Sequence, residues 1–256
     1  MAQKVMKREE FSKFLNSIKM IQDVCTDCDI QKGVIRQRTN DRHSIVQIDL
    51  KSLLEEDTSI CFSLLKQKIA LLKSFELDDS AEVDDAEKDI TLELLDKTYK
   101  FTDVFSSLTF RVPIRKFLDN SYVTVEELDK MFDLKEEDMV LSHTITSYMC
   151  KRIKAITEGF NSDVVIWNMN GLDASLNTAT SNNDNSSQLV RNLSLNVEMP
   201  KSSARMVVFP LTLELNSDVE VNGYKLGKDR LLCKFDMKYF GIPITIYAQS
   251  QLKKEK

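Results

Sequence analysis

The sequence predicts an α+β fold in two tandem domains, each with helices on one face of antiparallel sheets. Three observations carry that reading. First, an amphipathic helix over 8–24 leads into a strand, a turn at Lys32-Gly33 and a second strand over 34–38, and in the second half a helix over 147–159 leads into 164–167, a turn at Asn170-Gly171 and 172–176. Second, the echo continues: 60–64 reads like 206–211, and 108–112 reads like 244–248. Repetition of one helix-and-sheet unit is the strongest architectural signal a chain can carry. Third, 256 residues suit two domains of roughly 110–130 residues, each long enough to bury its own core.

Each element follows from its period. Phe11, Phe14, Leu15, Ile18 and Ile21 fall on one side of the first helix, with Lys13, Asn16, Lys19 and Met20 on or beside the other. Alternation predicts strands over 42–50 and 59–64. A second helix over 65–75 turns Leu65, Ile69, Leu72 and Phe75 inward and Lys66, Gln67, Lys73 and Ser74 outward. Strands over 90–95, 99–102 and 107–112 follow, and Pro113, which cannot donate to a ladder, ends the pattern. Residues 114–138 read as a connector containing a short helix opened by the capping box Thr124-x-x-Glu127. The expected domains are therefore 1–113 and 139–256.

The second domain opens with a strand at 139–142 and the helix over 147–159. Met149, Ile153 and Ile156 are expected to face inward, Lys151, Arg152 and Lys154 outward with Tyr148, and Gly159 to end the helix in a left-handed conformation. Strands are expected over 164–169, 173–179, 188–197 and 205–215, with an Asn/Ser-rich loop at 180–187. A second helix is hard to find in this half: 215–218 holds one turn at most. The last strands, 230–239 and 242–250, meet at Gly241 and lead to a charged tail.

Composition excludes several function classes. Hydrophobic residues at 42% and charged residues at 29% describe an ordinary soluble protein. No apolar run suggests a membrane span, and Met1–Arg8 leads into a helix without an apolar signal core, so an intracellular location is expected. Cys25-x-x-Cys28 lacks a second pair or a nearby histidine to complete a zinc site, and five scattered cysteines fit reduced thiols. Asn185 and Asn192 stand in glycosylation patterns that carry no weight without secretion. The acidic residues crowded between Asp78 and Asp89 lack the glycine of a calcium loop and read as a solvated loop. With only His43 and His143, and no glycine-rich phosphate loop or nucleophile elbow, no enzyme signature is present. No cofactor or metal is expected.

All three convincing helices put lysine or arginine opposite their apolar side, in a chain of net charge −5. One such helix is ordinary solvation; three together suggest a surface turned toward a polyanion.

The repeated helix–strand–turn–strand unit, the connector and the basic helix faces resemble the processivity sliding clamps of DNA replication, the family of proliferating cell nuclear antigen and the T-even phage clamps. Residues 29–38 and 43–48 are similar to that family's first hairpin, including His43 just before the next strand; 222–226 and 244–249 are similar to the second domain of phage-type clamps, which also have a weak last helix. The resemblance implies a homotrimeric ring, closed head to tail, that encircles double-stranded DNA without reading sequence and tethers a DNA polymerase after a clamp loader places it. It implies a DNA-facing pore of Lys13, Lys19, Lys66, Lys73, Lys151, Arg152 and Lys154. It further implies a partner-peptide pocket under the connector, involving His43, Tyr122, Val123, Pro243, Tyr247 and Ala248. A phage-encoded chain would act in the host cytoplasm. The alternative left open is a β-rich viral structural or adaptor protein with no DNA-encircling activity, since repeated sheets suit assembly equally well.

Overall fold

The computed structural model describes residues 3–55, 58–76, 89–95, 98–104, 106–113, 122–180, 183–213 and 217–254. The acidic residues 78–88, the first part of the connector (114–121) and residues 215–216 of the expected last turn lie outside them. The chain divides into two units, 1–42 with 46–124, and 43–45 with 125–256.

In the first unit β1 (Gln3–Met6), β6 (Ile90–Leu95), β7 (Thr98–Asp103) and β8 (Thr109–Pro113) form an antiparallel sheet in the order β1-β6-β7-β8. A second row runs β4 (Ser44–Asp49), β3 (Val34–Arg38), β2 (Cys28–Gln31), β5 (Ile60–Phe62). Lys32 and Gly33, at φ 50° and 72°, make the two-residue turn between β2 and β3, the left-handed geometry that matches strand twist.

Helix α1 (Arg8–Lys19) and helix α2 (Leu65–Leu72), the latter continued by a 3₁₀ turn at Lys73–Phe75, cover this unit. The Glu10 carboxylate accepts from the Lys7 backbone N–H at 3.1 Å, capping the start of α1. The expected apolar side is the buried one: Phe11, Phe14, Leu15, Ile18 and Ile21 are at 0% exposure. Their rings join a cluster with Phe62, Phe75 and Phe101, at centroid separations of 5.9–6.4 Å. Arg8 ties the unit's end together, pairing with buried Asp103 at 2.7 Å and donating to the Phe75 carbonyl.

The second unit is built on β9 (Met139–Ile145), β10 (Val164–Thr180), β11 (Asn183–Val207), β12 (Val219–Leu226), β13 (Arg230–Tyr239) and β14 (Ile242–Lys254), in the order β10-β11-β9-β12-β13-β14 with β11 also meeting β14. Its helices are α3 (Val125–Met131), which starts directly after Thr124, α4 (Ser147–Gly159) and α5 (Phe209–Thr212).

Five expectations are corrected here. The Asn170-Gly171 turn does not exist: the backbone passes through Gly171 at φ 61° as an irregularity inside β10, whose pairing with β11 shifts on both sides of it. The expected pairs of strands on either side of that glycine and after the Asn/Ser-rich segment are thus one long hairpin. Gly159 is not left-handed; Asn161, at φ 49°, makes the turn after α4. The buried stripe of α4 is Cys150, Ile153 and Thr157, with Met149 and Ile156 only half-buried beside it, because a small thiol and a threonine whose hydroxyl bonds the Lys154 carbonyl take the inward side. The single helical turn sits at Phe209–Thr212, where Pro210 occupies the first turn, a position that needs no backbone N–H.

Candidate functional site

The cations singled out on the helices are all outside the cores. Lys66, Lys73, Lys151 and Arg152 are exposed, and Lys13, Lys19 and Lys154 are half-buried. Several hold carboxylates: Lys13 pairs with Glu9 at 2.7 Å, Lys66 with Asp23 at 2.8 Å, and Lys154 with Glu158 at 3.9 Å. The Lys13 ammonium holds the exposed Glu9 carboxyl below its ordinary range, first through the hydrogen bond and then through its charge. On α4 the Arg152 guanidinium lies 6.0 Å from the centre of the exposed Tyr148 ring, a cation–π contact that orders both side chains. The helix itself starts with Thr146, whose hydroxyl accepts from the Met149 N–H at 3.3 Å.

The residues expected in a partner pocket divide between the units. Tyr122 and Val123 belong to the first, where they extend its sheet. Tyr122 bridges Gln37, the Val123 N–H donates to the Arg36 carbonyl at 2.9 Å, and Arg36 returns a bond to the Val123 carbonyl at 3.4 Å while holding Gln47 at 2.8 Å. Val123 is buried at 2% exposure, so its side chain anchors this stretch of chain. Burial pushes the Tyr122 hydroxyl above its ordinary range, with the Arg36 charge opposing.

His43, Pro243, Tyr247 and Ala248 belong to the second unit. There a groove of about 540 Å³ runs past His43 and Ser44, along β14 from Ala248 to Lys253, and against Val164, Val207, Arg205 and Arg230. His43 and Ala248 line it; Pro243 and Tyr247 do not. His43 is exposed, and its carbonyl accepts from the Gln249 N–H at 3.2 Å. Ala248, 1% exposed, forms part of the floor. The Tyr247 ring is stacked on Phe132, from the residue after α3, at 5.6 Å and 17°. Phe132, Arg205, Arg230 and Lys253 are the residues that the sequence reading passed over. Strand alternation along β14, which sets Ile244, Ile246 and Ala248 against the core and Tyr247, Gln249, Gln251 and Lys253 outward, is the signal that points to the last of them.

Among the described residues no group of His, Cys, Asp and Glu side chains is placed to hold a metal, and no helix is long and apolar enough to cross a membrane. All five cysteines are buried free thiols. Burial pushes Cys25 up to about 12 and Cys150 up to about 11, which leaves them as poor nucleophiles.

No family model matches the sequence, and the search of curated proteins finds no match. Solved structures do match along the whole chain. A chain of the PCNA2–PCNA3 complex of Sulfolobus tokodaii is 13% identical, with a TM-score of 0.61 over 97% of this chain and 99% of that one. The A. fulgidus PCNA bound to the C-terminal region of FEN-1 is 14% identical, with a TM-score of 0.58 over 100% of both chains. The proliferating cell nuclear antigen of Entamoeba histolytica is 12% identical, with a TM-score of 0.61 over 94% and 95%. The two-unit α+β architecture of this chain is the fold of those clamps.

Proposed function

We propose that this chain is a DNA sliding clamp: a non-catalytic processivity factor that encircles duplex DNA and tethers a replicative polymerase. The observation that carries the reading is end-to-end likeness to clamps in both directions, joined to cation-bearing helices in both units of an acidic chain. Residues 1–113 and 139–256 act as the two clamp domains, with 114–138 as the connector. Three copies joined head to tail close the ring. Support for such joining comes from β8 and β10, each an edge strand of its own unit's sheet, since an uncovered edge is a ready template for another chain.

The mechanism follows from elementary electrostatics. Lys13, Lys19, Lys66, Lys73, Lys151, Arg152 and Lys154 attract phosphates without touching base edges, so no position on the duplex is preferred and the ring slides. Retention is topological, which is why weak, salt-screened contacts suffice. Polymerase and clamp loader dock through short peptides, and the groove along β14 with His43 and Ala248 is the surface suited to one; the clamp bound to the C-terminal region of FEN-1 is a precedent for a tail as ligand. Pro243 and Tyr247 stand on the same strand as that surface, while Tyr122 and Val123 anchor the connector's end to the first unit's sheet. The protein works inside a cell, and the one-turn α5 supports a phage-type clamp acting in the host cytoplasm.

The test is assembly followed by retention. Light scattering across a wide concentration range should give three times the chain's mass, and protein loaded on nicked circular DNA should stay bound through a salt wash and leave when the circle is cut. A stable monomer at micromolar concentration, or an open filament, would favour a structural or adaptor role instead.

A further inference from the structure

The groove of the second unit is cationic in a chain that is acidic overall. Ser203 lies opposite Lys253, and Arg230 opposite Gln251, in the registers of β11 with β14 and β13 with β14. Residues directly opposite in an antiparallel pair share a face, and so do residues two apart on one strand. Arg205, two beyond Ser203, and Lys253, two beyond Gln251, therefore stand on the same sheet face as Arg230. Arg230 and Lys253 are exposed, Arg205 is half-buried, and among the described residues no Asp or Glu lines the groove with them. The floor beside these cations is apolar: Val164 faces Val207 across the β10–β11 ladder.

We propose that this groove selects an acidic peptide segment, seating apolar side chains on Val164 and Val207 and setting carboxylates against Arg230 and Lys253. The inference rests on the reading of the groove as a partner-peptide site and adds the chemistry of the partner. Exposed cations at the rim steer an anionic segment in and repel basic tails, so their effect is chiefly on selectivity and association rate. Arginine also grips a carboxylate with two parallel hydrogen bonds, which fixes the segment's register.

The experiment titrates the full-length protein with a fluorescein-labelled peptide carrying phenylalanine anchors among aspartates, with its asparagine counterpart, and with its lysine counterpart. The aspartate peptide is expected to bind roughly tenfold tighter than the asparagine one, and the gap should narrow as sodium chloride is raised. Arg230→Gln with Lys253→Gln should close the gap by weakening the aspartate peptide more than the asparagine one, and Arg230→Glu with Lys253→Glu should turn the preference toward lysine. Both positions are exposed, and circular dichroism melts check that the fold is kept. If aspartate and asparagine peptides bind equally and both are lost in Val207→Arg, the groove holds peptides by its floor alone: the charge selection is wrong and the docking site stands. If no peptide binds, the docking site falls with it, while ring assembly is judged separately by scattering.

Discussion

The two units repeat one plan but spend their side chains differently. The first has, among its described residues, the two helices α1 and α2 over a core of clustered phenylalanines, Phe11, Phe14, Phe62, Phe75 and Phe101. Among its described residues the second has the long helix α4, the seven-residue α3, a single turn at Phe209–Thr212, and a hairpin of two strands far longer than any in the first. Its helix α4 buries Cys150, Ile153 and Thr157 where α1 buries aromatic and branched aliphatic side chains. The halves thus differ both in strand length and in what their helices bury.

The largest expected effect breaks that comparison at the cores. Phe14 touches Phe11, Phe62 and Phe101 and is at 0% exposure, so Phe14→Ala should cost about 3–5 kcal/mol. Ile153→Ala on α4 should cost about 2–4 kcal/mol, since a smaller side chain leaves a smaller cavity. Urea unfolding at one fixed protein concentration compares them, because assembly makes stability concentration-dependent. Equal losses would mean that the aromatic cluster does not set the first unit apart.

A smaller effect lies at a carboxyl buried in the first unit: Asp29 is about 1% exposed. Burial pushes the Asp29 carboxyl above its ordinary 3.8, with the Cys61 thiol opposite it pulling the other way. A raised carboxyl favours folding below its unfolded pKa, and that contribution is lost as pH rises through the folded value. Asp29→Asn should therefore stabilise the protein by about 1 kcal/mol at pH 7 and by less at pH 4. A variant that is less stable at pH 7 would show that the ionised carboxylate is needed by its surroundings.

These contrasts also explain what was legible in the sequence. The α1 stripe could be read because five apolar residues recur at helical spacing, whereas the α4 stripe lies one position further on because the small thiol of Cys150 and Thr157, whose hydroxyl bonds the Lys154 carbonyl, take the places expected of Met149 and Ile156. Gly171 read as a turn because asparagine precedes it, yet a glycine inside a strand serves a bulge equally well, and only pairing with β11 decides between them. Of the candidate site, the outward cations could be listed from periodicity alone. The ion pairs Lys13–Glu9 and Lys154–Glu158 could be read at i,i+4 spacing, but that of Lys66 with Asp23, 43 residues away in sequence, could not. Nor could the groove, which depends on strands β11, β13 and β14 meeting in a particular register.

The smallest effect sharpens the comparison on the proposed DNA-facing side. Lys13 and Lys66 in the first unit are already held by Glu9 and Asp23, while on α4 Lys151 is exposed and Arg152 lies against a neutral ring. A lysine must let go of its carboxylate before it displaces counterions from a phosphate, although exposed pairs of this kind are worth only about 0–1 kcal/mol. Lys151→Ala with Arg152→Ala should flatten the plot of log binding constant against log salt by close to 1.8, about 0.9 for each phosphate that the variant no longer neutralises. Lys13→Ala with Lys66→Ala should flatten it by roughly half as much, with folding and trimer mass unchanged in both variants. Equal changes would mean that the ion pairs open freely on DNA and that the two units contribute alike. If neither pair of substitutions alters the slope, the helices do not face phosphate, and the basic sides are ordinary solvated surface.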